Sequence, residues 1–289
     1  MSTFKITTDS NADLPEGYIA EHNLDIVTLN FTIDGETYNR EHNLPVDEFY
    51  ARMRNGSLPT TAQVNPVDAK EIFEPLLATG TDVLHIAFSS ALSGSYNSCR
   101  LAAEELREKY PDRRVYVVDS LCASLGQGLF IHKAVEMQTR GEDIDTVCDW
   151  LEAHKLNVVH NFTVDDLNHL YRGGRVSKTA AVIGTIVNIK PILHVDNEGR
   201  LVALSKIRGR KKSLHALVEN MENQVGSWRD KNDIVFISHG DCEADAQYVA
   251  DLVREKFGIE NFLINYVGPA IGAHSGPGTL ALFFMGDTR

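Results

Sequence analysis

The sequence predicts an α/β protein. A mostly parallel sheet covered by helices forms an N-terminal domain, residues 1–160, and an α+β C-terminal domain follows, residues 161–289. Three observations predict it. Short apolar runs alternate with amphipathic helical stretches through the first half, the rhythm of parallel strands joined by helical crossovers. The second half mixes such crossovers with hairpin signals. Small polar turns follow the apolar runs of the first half, and in open α/β sheets ligands sit at these carboxyl ends of the strands.

The elements follow in order. Residues 4–8 form a strand, and the polar turn 9–15 leads into a helix carrying Tyr18 and Ile19. Residues 26–33 alternate at period two, and Asp34-Gly35 turns them into 36–38, a hairpin within a small excursion spanning about 26–66. Residues 46–53 read as a short helix. Residues 58–66 are extended by their two prolines, and a helix begins near Val67. Residues 83–88 are a short buried strand and 96–110 an amphipathic helix. Residues 115–119 are another buried strand, 120–128 a turn of small polar residues, and a long helix follows. After a strand at 158–164, residues 165–171 form a short helix opened by an acidic cap, which Arg172-Gly173-Gly174-Arg175 breaks. Residues 179–189 are small and apolar, a buried helix. Residues 190–195 and 201–205 are strands joined by the hairpin turn 197–199. Helices at 212–225 and 244–257 and strands at 234–238 and 261–267 precede the Gly-rich stretch 268–278 and an apolar end, 279–285.

The most informative stretch joins the strand at 83–88 to its helix. Such a turn aims free backbone N–H groups and the positive end of a helix dipole at one small volume. Ser93, Gly94 and Ser95 lie there with further serines, and the turn contains no Lys or Arg. That favours a weakly charged guest, such as a carboxylate, over a polyphosphate, which recruits basic side chains. The alternative is that Ser95 only caps the helix.

Composition excludes other classes. Apolar residues make up 43 % and charged ones 24 %, a globular balance. No apolar stretch approaches the ~20 residues of a membrane span, so no stable membrane insertion is expected. The N-terminus runs into a strand without a signal-peptide core, which predicts a cytoplasmic location. Cys99, Cys122, Cys148 and Cys242 are far apart, the pattern of free thiols. A net charge of −12 argues against nucleic-acid binding. Asp9, Asp13, Asp119, Asp165 and Asp166 lack ligand spacing and read as caps and turns, so neither metal nor cofactor is expected.

Thr8-Asp9-Ser10 with Asp13-Leu14-Pro15, Thr60-Thr61 and Ser89-Ser90-x-Leu92-Ser93-Gly94-x-Tyr96 appear in that order. Asp119-Ser120, Gly173-Gly174-Arg175, Lys190-Pro191-Ile192-Leu193 and Gly268-Pro269-Ala270-Ile271-Gly272-x-His274-x-Gly276-Pro277-Gly278 follow. Over nearly its whole length the chain thereby resembles the DegV family of fatty-acid-binding proteins. It departs at residues 61–66, where a Thr-Ser-Gln-Pro pattern becomes Thr-Ala-Gln-Val-Asn-Pro. The resemblance implies one long-chain fatty acid held between the two domains. It implies a FakB-type subunit of fatty acid kinase, presenting the acid to an ATP-binding FakA-type partner. It assigns the carboxylate to Thr61 and Ser93, with Gly94 and Ser95 N–H groups helping and His274 close by. His274, whose type switches charge near neutral pH, would bias the carboxylate or a transferred phosphate; otherwise it only holds a loop. The tail would lie along Ile183, Ile186, Val187 and Ile189 of the buried helix, Ile271, and the 280–284 segment with Phe283. Arg172, Arg175 and Arg208 would face the kinase or its phosphate. Two alternatives stand beside this reading. One is a serine-nucleophile hydrolase or acyltransferase using Ser93 and His274, although no Gly-x-Ser-x-Gly elbow surrounds Ser93. The other is a dihydroxyacetone-kinase-like sugar-binding protein.

Overall fold

The computed structural model describes residues 4–177 and 188–289. Its first strands are β1 (Phe4–Asp9), β2 (Asp25–Val27), β3 (Phe31–Ile33), β4 (Glu36–Tyr38), β5 (Thr60–Thr61), β6 (Asp82–Ala87) and β7 (Val115–Asp119). Strands β2-β1-β6-β7 form an all-parallel sheet, and β6 is buried along its whole length, as the apolar run requires. The helices of this half are α1 (Glu16–Glu21), α2 (Val46–Arg54), α3 (Pro66–Ala78), α4 (Ser95–Lys109), α5 (Leu125–Thr139) and α6 (Ile144–His154).

Two expected elements divide. The period-two run at 26–33 becomes β2 and β3, because the chain changes partners midway. Leu29 N–H donates to Ser10 Oγ (3.0 Å) and Asn30 C=O accepts from Ala62 N–H (3.0 Å). Strand β3 then pairs with β4 and β5 in a separate antiparallel sheet. The long helix after residue 128 is two helices. Gly141 at φ 88° ends the first, and Asp143 caps the second by accepting from Thr146 N–H (2.8 Å).

The second half carries β8 (Val158–Thr163), α7 (Leu167–Arg172), β9 (Ile189–Val195), β10 (Leu201–Arg208), α8 (Arg210–Gln224), β11 (Ile234–His239), α9 (Glu243–Phe257), β12 (Asn261–Tyr266), α10 (Pro269–Ser275) and β13 (Leu280–Met285). Six strands form a mixed sheet in the order β10-β9-β8-β13-β11-β12, in which only β11 and β12 pair in parallel. The apolar end of the chain, β13, is therefore a central, fully buried strand. Asp166 accepts from Asn168 N–H at the start of α7, as its sequence position implied.

Helix α5 lies between the two large sheets. It touches β1 and β6 on one side and β8, β11 and β13 on the other. Leu125, Leu129 and Phe130 accordingly join Ile6 and Ile86 to Phe236 and Phe283 in one apolar core. A helix buried on nearly all sides shows no single apolar stripe. The turn expected over 120–128 ends early for the same reason, since α5 begins at Leu125 and takes in Gly126 and Gly128. A Cβ at Gly126 would lie 2.1 Å from His160 Nε2, so this glycine lets the helix approach β8. The four cysteines are free thiols, and no helix of the described residues is long and apolar enough to cross a membrane.

Candidate functional site

A cavity of about 250 Å³ opens where the carboxyl end of the parallel sheet meets α10 and the inner face of the mixed sheet. Its apolar wall includes Phe88, Leu92, Phe162, Leu170, Ile271 and Phe283, and one corner is polar, with Thr61, Gln63, Ser93, Gly94 and His274. Different elements supply that corner. Thr61 ends β5, Ser93 and Gly94 form the turn before α4, and His274 lies on the last turn of α10.

Hydrogen bonds order the corner. Thr61 Oγ1 lies 2.8 Å from His274 Nε2. Burial, then the Arg175 and Arg172 charges, push the His274 imidazole down to about 4, so it is neutral at pH 7. The expected switch near neutrality is corrected accordingly. Its Nδ1 packs against Gly173, where a Cβ would come within 2.1 Å of it. Among the described residues Nδ1 has no hydrogen-bond partner while Nε2 faces Thr61 Oγ1, so the proton is assigned to Nε2. The imidazole thus donates to Thr61 Oγ1 and leaves the threonine proton free to donate onward.

Ser93 is arranged alike. Ser95 Oγ, fully buried, accepts from Val64 N–H (3.1 Å) and bonds to Ser93 Oγ (2.9 Å), while Ser95 N–H also donates to Ser93 Oγ (3.2 Å). With Ser95 donating, Ser93 keeps its own proton for the cavity. Ser95 therefore supports Ser93 from behind and does not line the cavity itself. The N-cap of α4 is Gly94, not Ser95. A Cβ at Gly94 would lie 2.2 Å from Oε1 of the exposed Gln63 side chain, whose flexible end would have to move aside.

The remaining expected residues are distributed as follows. Ile271 and Phe283 line the cavity. Ile183, Ile186 and Val187 lie outside the described residues. Ile189 opens strand β9 instead of closing a helix and does not line the cavity, because it pairs with Arg208 across the β9–β10 ladder. Arg172 and Arg208 are exposed. Arg175 differs from expectation: it is half-buried and lines the cavity, donating Nε and Nη2 to Leu92 C=O (3.1 and 3.0 Å) and Nη1 to Gly173 C=O. The serine turn has no cation in sequence but acquires this one from the end of α7, at long range. Asn11, Ser124, Ser238 and His160 also line the cavity, and the sequence had not singled them out. The small polar residues after β1 and before α5 were the available signal. Among the described residues no group of His, Cys, Asp or Glu could hold a metal ion.

The arrangement does not suit nucleophilic catalysis. Among the described residues His274 bonds to Thr61 and not to Ser93, and no carboxylate orients its Nδ1.

The model of the family described as "uncharacterised protein, DegV family" matches residues 3–287. A DegV domain-containing protein of Clostridium perfringens is 44 % identical over 291 residues, covering 100 % of this chain and 99 % of the relative. Another, of Lactococcus lactis, is 34 % identical and covers 97 % of each. Among solved structures, a fatty-acid-binding DegV family protein of Thermus thermophilus superimposes with a TM-score of 0.87 at 28 % identity, covering 98 % of this chain and 99 % of that one. DegV of Bacillus subtilis, a fatty acid binding protein, gives 0.84 at 30 % identity over 99 % and 100 % of the two chains.

Proposed function

The chain belongs to the DegV family, and from that premise we propose that it binds one long-chain fatty acid, with the tail in the cavity and the carboxylate on Thr61 and Ser93. The observation that carries this is the ordering of two hydroxyl donors, Thr61 backed by the half-buried His274 and Ser93 by the buried Ser95, at one end of a largely apolar cavity. A carboxylate accepts from both. Such charge-assisted bonds contribute about 1.5–3 kcal/mol each. The neutral His274 and the nearby Arg175 support the head without a full ion pair. The tail contributes more, at about 0.8 kcal/mol per buried CH₂. The head thus orients and the tail binds. Solved DegV structures of Thermus thermophilus and Bacillus subtilis, described as fatty-acid-binding, support the same ligand class here.

The held carboxylate is then a substrate for an ATP-binding kinase of FakA type. One carboxylate oxygen attacks the γ-phosphorus, ADP leaves, and an acyl phosphate forms. This chain has no Gly-x-x-x-x-Gly-Lys-Ser/Thr loop to hold ATP itself, so it acts as the binding and presenting subunit, in the cytoplasm. Exposed Arg172 and Arg208 are cations available to the partner.

Organic extraction of the purified protein followed by mass spectrometry tests the ligand. A long-chain free fatty acid in near-equimolar amount is expected. Recovery of a bound sugar, or hydrolysis of acyl esters by the isolated chain, would overturn the reading.

A further inference from the structure

A second polar patch lies in the same cavity, away from the Thr61–His274 corner. Helix α10 runs between the two. His274 on its last turn meets Thr61, whereas Gly268 at its N-cap donates N–H to Asp13 Oδ1 (3.0 Å). The six helical steps from 268 to 274 span roughly 9 Å, which brings the second patch alongside the body of a long acyl chain whose carboxylate sits at Thr61.

Ser124, Ser238 and Asn11 line the cavity at this end. Ser124 Oγ bonds to Asp13 Oδ2 (2.5 Å) and to Ser238 Oγ (2.9 Å). Burial pushes the Asp13 carboxyl up to about 8, so it holds a proton at neutral pH and donates it to Ser124. Ser124 then donates to Ser238, whose own proton has no acceptor among the described residues. Asn11 is only 2 % exposed, yet its carboxamide makes no hydrogen bond among the described residues and is not fully enclosed, so its polar atoms open on to the cavity it lines. An acyl chain that fills the cavity covers them, which is unfavourable unless the chain itself answers them. A plain methylene chain answers nothing.

We propose that the cavity selects acyl chains bearing an oxygen along the chain, hydroxy or oxo fatty acids, through Asn11 and Ser238. A chain hydroxyl accepts from Ser238 O–H and donates to Asn11 Oδ1; a ketone oxygen accepts from Ser238 O–H and Asn11 Nδ2–H. The proposal rests on the fatty-acid reading above and adds the class of acid.

The test is displacement of a fluorescent acyl probe from delipidated protein by octadecanoic acid and by its mid-chain hydroxy and oxo derivatives. In the parent protein the oxygenated acids are expected to bind at least as tightly as the plain acid. Asn11→Leu and Ser238→Ala are each expected to lower their affinity, relative to the plain acid on the same variant, by about ten-fold. Because the plain acid is the internal reference, a general loss of folding cannot imitate this result. If the oxygenated acids bind the parent ten-fold or more weakly than the plain acid, or if the ratio is the same in parent and variants, the proposal is overturned while fatty-acid binding stands. If the plain acid does not displace the probe, the fatty-acid reading falls and takes this proposal with it.

Discussion

Replacing Thr61 by valine keeps the shape of the side chain and deletes only its hydroxyl, which makes it the sharpest probe of the polar corner. Two bonds are lost. One is the donor to the carboxylate, worth about 1.5–3 kcal/mol when charge-assisted, or about ten- to 150-fold in Kd. The other is the 2.8 Å bond from His274 Nε2, whose loss leaves a largely buried donor unsatisfied in the free protein at about 1–3 kcal/mol of stability. The valine variant should therefore bind palmitate at least ten-fold more weakly and also melt earlier. Thr61→Ser, which retains the hydroxyl, should stay within about threefold of the parent. Titration calorimetry with palmitate and with methyl palmitate reads the effect, because the ester lacks the charge. It should bind the parent weakly and hardly distinguish the variants. A valine variant that binds palmitate as the parent does would refute the assignment of the carboxylate to this corner.

Three further outcomes are expected. Ser93→Ala should weaken palmitate binding by a similar ten-fold or more, and combined with Thr61→Val the loss should be less than additive, because both donors serve one carboxylate; a strictly additive double-mutant cycle would contradict this. Gly173→Ala drives a methyl group to 2.1 Å from His274 Nδ1, so it should displace the imidazole, lower affinity about ten-fold and reduce the melting temperature; parent-like binding would show that the His274 position is immaterial. The stability difference between the parent and Asp13→Asn should fall as pH rises from about 5 to 8. Asp9, raised by burial to about 6, and the buried histidines, lowered by burial, titrate in both proteins and cancel in the difference. Asp13 stays protonated in the fold, towards about 8, while ionised in the unfolded chain. Through this group the parent fold binds one proton more than its unfolded chain, and the difference drops with rising pH by at most about 1.4 kcal/mol per unit. Denaturant melts of both proteins across this range read it, and a difference that does not change with pH would contradict the assignment.

Much of this molecule was legible in the sequence because its signals are local. Strand β7 coincides with the run at 115–119, β6 and α4 fall within a residue of their expected bounds, and Asp166 caps α7 as its position implied. A strand buried on both faces must be continuously apolar, and a cap must sit one residue outside its helix, so both are written in neighbouring residues. The serine turn was legible for the same reason. What failed depended on partners far along the chain. The run at 26–33 alternates without interruption, yet it divides because Ser10 and Ala62 claim its middle. Gly126 and Gly128 look like turn residues, but they sit in a helix at points where His160 and the Ala12 carbonyl leave little room for a side chain. The cavity is the clearest case. Arg175 reaches the serine turn through Leu92, His274 reaches Thr61 across more than two hundred residues, and burial between them keeps the imidazole neutral. Burial and hydrogen-bond partnership belong to the packed structure, so charge state, donor direction and the second polar patch at Asn11 and Ser238 were decided only by the tertiary fold.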